Sequence, residues 1–204
     1  GDGLFALQAW VPARTCPDVR RAAEAAGMAV RIEPAAEDDL PPTLLDNPKA
    51  LQPGEDLAYF YQVPPSHDWD PSGVMLVTFA LFFAMILSDA GYGLLVLAAA
   101  VLPLRLWSGR GGGRLRRLVG CLGMATIAFG ILAGSYFGLA PMQGLPARLH
   151  IIDLADYAQA MKLSVAIGVG HIALANAAIA YAHWPSHPSV AHIGWIIVAL
   201  AGFA

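Results

Sequence analysis

The stretch that decides the fold is a long apolar run with one polar interruption. Residues 70–94 read DPSGVMLVTFALFFAMILSDAGYGL, and the apolar character continues to Trp107. A helix needs roughly 20 mostly apolar residues to cross about 30 Å of bilayer hydrocarbon. The segment 72–107 is therefore too long for one upright span and too short for two full spans with a loop. Its break at residues 88–93 predicts two short helices, about 73–88 and 92–107, which form a hairpin or a broken pair with Asp89 at the break.

The composition separates the chain into two parts. Of its 204 residues, 57% are hydrophobic and 13% are charged, about half the charged fraction of an average soluble domain. Residues 1–70 hold 12 of the 15 acidic side chains. Two cysteines exclude a disulfide framework, and the polar part has no basic tract that would indicate nucleic-acid binding. The chain begins at Gly1 without a methionine and ends at Ala204 inside an apolar run, so we expect a piece of a longer protein.

The polar part predicts the tail of a small cytoplasmic α+β domain over residues 1–35. Three segments within it have the patterns of regular structure: a strand at 5–11, a helix at 17–26 and a strand at 28–33. A Pro-rich acidic linker follows over residues 36–71, with an acidic patch at 37–39. One short helical piece is predicted within the linker, at about 54–61.

Five arginines and no acidic residue fall within residues 105–117, and this excess predicts a cytoplasmic loop. Three apolar helices are predicted after it, at about 118–137, 161–182 and 190–204, the last one truncated. Asp153 and Asp156 lie in a connection that we expect on the outer side. Because an even number of crossings would precede the arginine loop, the N-terminal segment is predicted to be cytoplasmic. The expected fold class is mainly α: a polytopic α-helical membrane domain, residues 72–204, preceded by the α+β tail of a cytoplasmic domain.

Asp89 is the first candidate functional residue, because it is the one acidic residue within the apolar segments. An ionisable group inside a membrane is costly and therefore indicates a function. Tyr92 follows three residues later and would be able to hydrogen-bond to it in a helical turn. Two interpretations stay open: Asp89 lines an ion path, or it lies at the membrane surface and caps the second helix.

His171 is the second candidate and is predicted in the middle of the fourth helix. It is either a buried neutral histidine that hydrogen-bonds to a neighbouring helix or a proton relay. Lys162 lies nine residues earlier, which at 100° per residue places it about 180° away on the helix. We expect Lys162 to extend its side chain to the membrane interface.

A glycine pattern predicts close helix packing in the third helix. Its members recur every four residues, at Gly130, Gly134 and Gly138. Gly134 and Ser135, with His171, resemble the nucleophile and base of an intramembrane serine protease, but the motif Gly-x-Ser-Gly is absent. Three histidines have a loose metal-like spacing at 183, 187 and 192, without a cysteine or an acid, so an interfacial loop is predicted there.

Several motifs together resemble a known family. Residues 70–94 resemble the start of the membrane domain of subunit a of V-type and A-type rotary ATPases, called subunit I in prokaryotes, where Asp-Pro precedes an apolar stretch ending in Gly-Asp-x-Gly-His/Tyr-Gly. Further similar motifs keep the family's order: Ala-Trp-Val-Pro at 9–12, Pro-Pro with Asn47 at 41–47, Tyr-x-x-Pro at 61–64, the Gly-rich segment 130–138, and Met-Lys-Leu-Ser with Gly168 and His171 at 161–171. One departure is Ser88, where the family usually has Gly.

The resemblance implies a stator subunit beside a rotating proteolipid ring of c or K type. Such a subunit provides half-channels for protons or sodium ions, and its essential arginine is expected on a later helix, beyond Ala204. The ion-path candidates are then Asp89, Tyr92, His171 and Lys162. Other implied partners are E/G-type peripheral stalk subunits, a d/C-type subunit near the central stalk, and the lipid bilayer. No cofactor, metal or nucleic acid is implied, and the chain is not expected to be catalytic alone. The alternative is a non-conducting polytopic scaffold.

Overall fold

The structure is a computed structural model that describes residues 5–36, 39, 41–61, 65–66, 69–109, 111–139 and 145–203, without the side chains of residues 145 and 146. Several sequence features lie wholly or partly outside the described residues: the acidic patch at 37–39, the motif at 61–64, Arg110 and the C-terminal residue 204. The chain forms two compact units, Gly1–Leu44 with Pro64–His67, and Leu45–Val63 with Asp68–Ala204.

Helices are the regular elements of the described residues, which confirms the prediction of a mainly helical chain. They are α1 (Cys16–Ala25), α2 (Gln52–Tyr61), α3 (Ser72–Leu87), α4 (Ala90–Val101), α5 (Gly112–Ala133), α6 (Leu145–Leu149), α7 (Tyr157–Ala182) and α8 (His187–Phe203). Short 3-10 turns occur at Ala13–Thr15 and Arg105–Trp107.

The predicted α+β tail is wrong, because the described part of the chain contains no strand. Residues 5–11 and 28–33 have no regular hydrogen-bonded structure. A strand satisfies its backbone groups only by pairing with a neighbour, and neither segment has such a neighbour among the described residues. Phe5 and Leu7 are accordingly 83% and 87% exposed. Within this first unit, α1 is the one element that forms as the sequence predicts.

In the second unit, α5 lies between α3 and α4. Helix α4 runs antiparallel to α5, while α3 runs in the same direction as α5 and buries Ala84 against Phe129 and Ala133. The polar break at Asp89 thus separates two helices that pack mainly on a third helix rather than on each other. Helices α7 and α8 pack on one another.

Three boundaries of α4 and α5 differ from the predicted ones for local reasons. Helix α4 ends at Val101, well before 107, because Pro103 disfavours helical geometry at the residue before it. Helix α5 begins at Gly112 rather than near 118, because polar partners satisfy the arginines of its first turns. It ends at Ala133, since Gly134 adopts the left-handed conformation with φ of 67°, which closes many helices.

The backbones of α4 and α5 approach closely at glycines. A Cβ on Gly130 would lie 2.1 Å from the backbone nitrogen of Ala90, and one on Gly123 would lie 2.7 Å from that of Leu97. Of the three glycines in the predicted packing pattern, Gly130 makes this approach. Gly134 and Gly138 instead adopt positive φ, which a glycine allows without steric cost.

Gly130→Ala should lower the free energy of unfolding by about 1–3 kcal/mol, because the added methyl group has no space against the backbone of α4. Thermal unfolding of the full protein in detergent would measure this effect. Gly168→Ala is the matched control: it lies within α7 and a Cβ there would meet no atom within 4 Å. The control should leave stability unchanged or raise it, since alanine favours helices. Equal unfolding temperatures for Gly130→Ala and the native protein would contradict the close packing.

Candidate functional site at the break between α3 and α4

The Asp89 carboxylate is the centre of a buried hydrogen-bond cluster. Its Oδ1 accepts hydrogen bonds from the backbone N–H groups of Tyr92 at 3.0 Å and Phe137 at 2.9 Å. Its Oδ2 accepts from the Ser135 hydroxyl at 2.6 Å and from the Gly138 N–H at 2.8 Å. We call these five residues the Asp89 clamp. The Asp89 residue is only 4% exposed, and the four donors compensate the cost of burying its charge.

The clamp joins the start of α4 to the turn that follows α5. Asp89 is the N-cap residue of α4, and its extended backbone suits that role. The Ala90 N–H donates to the Ser135 carbonyl at 2.9 Å, so the two segments are also linked by backbone. The capping interpretation of Asp89 therefore describes one of its contacts, while its other partners come from a different part of the chain.

Unusual backbone conformations occur next to the clamp and within it. Ser88 has φ of 46° and Phe137 has φ of 56°, and no other non-glycine residue among those described has positive φ. Such conformations are uncommon for residues with a Cβ and cluster at functional sites. Gly138, with φ of 73°, turns the chain so that its N–H reaches Asp89. Ser88 occupies the left-handed position after α3, where glycine is favoured. This preference explains why the motif that residues 70–94 resemble usually has Gly at the position of Ser88.

Tyr92 lies beside Asp89, as the sequence predicts, but its side chain makes a different contact. The backbone N–H of Tyr92, not its phenol, donates to the carboxylate. The phenol ring packs edge-on against Phe137, with ring centroids 5.4 Å apart. Tyr92 therefore covers the clamp, and 48% of the residue stays exposed.

An open cleft of about 500 Å³ adjoins the clamp. Asp89, Tyr92 and Ser135 contribute to its wall, together with His150 and Asp153 from the segment after α5. This segment is anchored to the end of α5, because the N–H groups of residues 151 and 152 both donate to the Leu132 carbonyl at 3.0 Å. The cleft therefore holds titratable and hydroxyl side chains at the end of α5 that is remote from the arginines.

The other two ion-path candidates lie apart from this cleft. His171, on α7, packs edge-on against Phe82 of α3 with ring centroids 5.7 Å apart. Its Nδ1 is buried and has no hydrogen-bond partner in the described part of the chain. Lys162 is exposed on α7. The structure thus brings Asp89 and Tyr92 together and places His171 and Lys162 elsewhere.

A polar contact within the α7–α8 hairpin was not predicted from the sequence. Asn176 Oδ1 lies 2.8 Å from His192 Nδ1, and such contacts between helices hold membrane bundles together. The available signal was Asn176 itself, a strongly polar residue in an apolar helix. Among the described residues, no group of three or more histidines, cysteines or acids is placed to hold a metal ion.

A second polar cluster, also not predicted, lies at the opposite end of α5. Arg114 contacts Glu55 Oε2 at 3.0 Å and Asp56 Oδ1 at 2.6 Å, and Arg117 donates to Gln52 Oε1 at 2.6 Å. We call these five residues the arginine clasp. Helix α2, which the sequence pattern places within the linker, is therefore fastened to the start of α5.

Asp70 joins the linker to the beginning of α3. Its carboxylate accepts hydrogen bonds from the Ser72 N–H at 2.8 Å and from the Asn47 amide. Partial burial acts to raise the pKa of Asp70, but the hydrogen bonds from Ser72 and Asn47 outweigh it and hold that pKa below its ordinary value. Asp70 therefore stays charged at neutral pH and orients the entry to α3.

The second unit is a helical assembly that contains long apolar helices of the kind found in membrane domains. By length and composition, α5 and α7 are long and apolar enough to cross a membrane. The outer residues of α7 and α8 are largely apolar and exposed, for example Ile172 at 51% and Trp195 at 63%. Exposed apolar surfaces of this extent indicate contact with lipid or with further protein.

Comparison with known proteins identifies the family. No family model matches the chain. It is 34% identical over 146 residues to the A-type ATP synthase subunit I of Methanocaldococcus jannaschii, a match covering 67% of this chain and 21% of that protein. It is 31% identical over 179 residues to the A-type subunit I of Pyrococcus horikoshii, covering 82% and 27%. A third relative is the V-type ATP synthase subunit I of Chlamydia pneumoniae, 30% identical over 142 residues, covering 67% and 22%.

The chain belongs to the subunit I family of A-type and V-type ATP synthases, which confirms the resemblance seen in its motifs. It spans between a fifth and about a quarter of the length of these curated relatives.

Proposed function

We propose that this chain contributes to the membrane sector of a rotary ATPase, where it supports the movement of protons or sodium ions coupled to ATP hydrolysis or synthesis. The observation that carries the proposal is the similarity to subunit I over two thirds or more of the chain. In this role the helices from α3 onward are embedded in the cell membrane as a multi-pass domain. The polar N-terminal part lies in the cytoplasm, on the same side as the arginine-rich segment.

The contact between α2 and α5 supports this orientation. Because α3 and α4 together return the chain to the side from which it entered, α2 and the first turns of α5 share one side of the membrane. The arginine clasp joins these two elements directly. An excess of arginine favours the cytoplasmic side, so the N-terminal part is cytoplasmic as well. From there it would link the membrane sector to E/G-type peripheral stalk subunits and to a d/C-type subunit.

The cleft beside the Asp89 clamp is the candidate mouth of a half-channel on the outer side. Its polar wall, formed by Asp89, Tyr92, Ser135, His150 and Asp153, would admit water to the end of α3 and α4. The conduction path would continue along surfaces that face the c/K-type proteolipid ring. His171 would extend this polar environment between α7 and α3, and Lys162 would reach the membrane interface.

A non-conducting scaffold is the second candidate function, and the clamp itself favours it. Four protein donors hold the Asp89 carboxylate between α4 and the turn after α5, as expected of a residue that fixes the position of helices. In this case Asp89 fixes the helices while ions pass through other parts of the complex.

ATP-driven ion uptake into vesicles distinguishes the two functions when Asp89→Asn is made in the full-length subunit within its complex. A conducting role predicts that uptake falls at least several-fold while the complex assembles normally. Asp156→Asn serves as the control, because it removes the same charge at an exposed cap of α7 that does not line the cleft, and it should leave uptake unchanged. If Asp89→Asn assembles and pumps as the native complex does, the role of Asp89 in conduction is excluded and the scaffold function remains.

A further inference from the structure

The arginine-rich end of α5 holds a second cleft, of about 430 Å³, between α5 and the end of α4. One part of its wall is apolar, formed by Leu97, Ala100 and Val101. The other part carries Arg116 and Arg117. A cavity that combines an apolar wall with two guanidinium groups is complementary to an amphipathic anion rather than to a neutral or purely polar molecule.

The two arginines are held at the cleft, yet much of their charge is left uncompensated. Arg116 Nε donates to the Ala100 carbonyl at 2.6 Å, and its Nη2 donates to the Val101 carbonyl at 3.2 Å. These bonds satisfy the carbonyl groups at the end of α4 and fix the guanidinium in place. Within the described part of the chain, neither Arg116 nor Arg117 forms an ion pair with a carboxylate, in contrast to Arg114.

Arg117 carries a buried donor that has no acceptor. Its Nη2 binds Gln52, but its Nε is buried and unpartnered among the described residues. A buried polar group without a partner is destabilising, so an acceptor beside it would be stabilising. A phosphate oxygen is such an acceptor, because planar guanidinium groups bind phosphates through charge-assisted hydrogen bonds.

We infer that this cleft binds an anionic phospholipid, with the phosphodiester headgroup at Arg116 and Arg117 and an acyl chain along Leu97 and Val101. The apolar wall continues onto the outer surface of α4, where Val101 is 64% exposed. Basic pockets between helices on the cytoplasmic side of membranes bind such headgroups. A free phosphate would use only the arginine half of the cleft. The inference rests on the membrane placement that we propose for these helices, and it assigns a ligand that ion translocation does not require.

Lipid binding to the full-length subunit in its complex would test the inference. Phosphatidylglycerol and phosphatidylcholine are added to the detergent-solubilised complex, and native mass spectrometry measures the affinity for each lipid. The native protein should bind phosphatidylglycerol more tightly than phosphatidylcholine. Replacing both arginines with glutamine should weaken phosphatidylglycerol binding by about fivefold for each charge removed, with little change for phosphatidylcholine.

Two further variants separate the cleft from general charge attraction. Arg105→Gln removes the same charge from a neighbouring position that does not line the cleft, and it should change binding much less than either cleft arginine. Gly120→Leu keeps both arginines and fills the apolar part, where a Cβ added at Gly120 would lie 3.7 Å from Ala100 Cβ; it should weaken phosphatidylglycerol binding as well. The assignment would be overturned if Arg105→Gln weakened phosphatidylglycerol binding as much as a cleft arginine variant does. It would also be overturned if Gly120→Leu did not weaken this binding.

Inorganic phosphate distinguishes a lipid from a free anion. Excess phosphate should not displace phosphatidylglycerol, because the acyl chain adds to the binding; complete displacement would show an anion site only. A native complex that binds both lipids equally would show that the two arginines do not select an anionic headgroup, and would also overturn the inference. Carbonate extraction of the membranes tests the underlying placement independently: release of the protein would refute the proposed membrane sector itself.

Discussion

Asp89→Ala should lower the free energy of unfolding by about 4 kcal/mol, the largest effect that we expect from a single substitution in this chain. The carboxylate accepts four hydrogen bonds, and its removal leaves the N–H groups of Phe137 and Gly138 without an acceptor in a partly buried position. It also removes the N-terminal cap of α4. Thermal or denaturant unfolding of the full protein in detergent would measure the change.

A graded series makes this prediction sharper. Asp89→Asn keeps one acceptor oxygen for Tyr92 and Phe137 but turns an amide donor toward the Gly138 N–H, so it should cost about 1–3 kcal/mol. Ser135→Ala removes one hydroxyl donor and should cost about 1 kcal/mol. Asp156→Ala is the matched control, because Asp156 also caps a helix, α7, but accepts only local backbone hydrogen bonds at an exposed position. If the Asp89 and Asp156 alanine variants lose equal stability, the long-range clamp contributes nothing beyond capping.

The sequence predicted the positions of the apolar helices because burial in lipid or protein leaves a local signal. The apolar run and the break at Asp89 placed α3 and α4 within a few residues of their observed start points. The packing of these two helices, in contrast, depends on residues that are distant in the sequence. Nothing between residues 72 and 107 shows that both helices pack mainly on α5, a relation that depends on glycines such as Gly130 in a distant segment.

The candidate site was predicted only in part, for a similar reason. Asp89 and Tyr92 were identified because they are neighbours in the sequence, whereas Ser135 lies 46 residues from Asp89. In the sequence, Ser135 resembles the nucleophile of an intramembrane serine protease, whereas in the structure its hydroxyl donates to Asp89. A weak signal was available: Gly138, read as part of a packing pattern, is the glycine whose positive φ allows its N–H to reach the carboxylate.

The strands predicted in the first unit show where a local sequence pattern is not sufficient to predict structure. Alternation at residues 28–33 is a property of a half-buried strand, but it cannot supply the partner that a strand needs. The segment has no regular structure and no strand partner among the described residues. Helix α1 formed as predicted because its hydrogen bonds are internal to the helix.

The two polar clusters act on α5 from opposite ends. At one end the Asp89 clamp fixes the start of α4, and at the other the arginine clasp fixes α2. Helix α5, with 22 residues, thereby extends from the linker to the cleft.

Arg114→Glu should lower the free energy of unfolding by about 3 kcal/mol, because it places a third carboxylate beside Glu55 and Asp56. The Glu55 side chain is only 3% exposed, so water cannot compensate its charge once the guanidinium is lost. Glu55 also accepts a hydrogen bond from the Asn47 N–H at 2.5 Å, which holds it in place and prevents it from turning outward. Unfolding of the full protein in detergent would measure the loss.

Two controls define what the result means. Arg148→Glu makes the same charge reversal at an exposed residue of α6 that forms no ion pair in the described structure, and it should change stability by less than about 0.5 kcal/mol. Adding Asp56→Arg to Arg114→Glu exchanges the two charges and restores an ion pair between the same positions. The double variant should therefore recover part of the lost free energy of unfolding. The clasp is refuted if Arg114→Glu is no more destabilising than Arg148→Glu. Partial recovery in the double variant would show that attraction between α2 and α5, and not the packing of the Arg114 side chain alone, holds the linker against the helix that leads to the cleft.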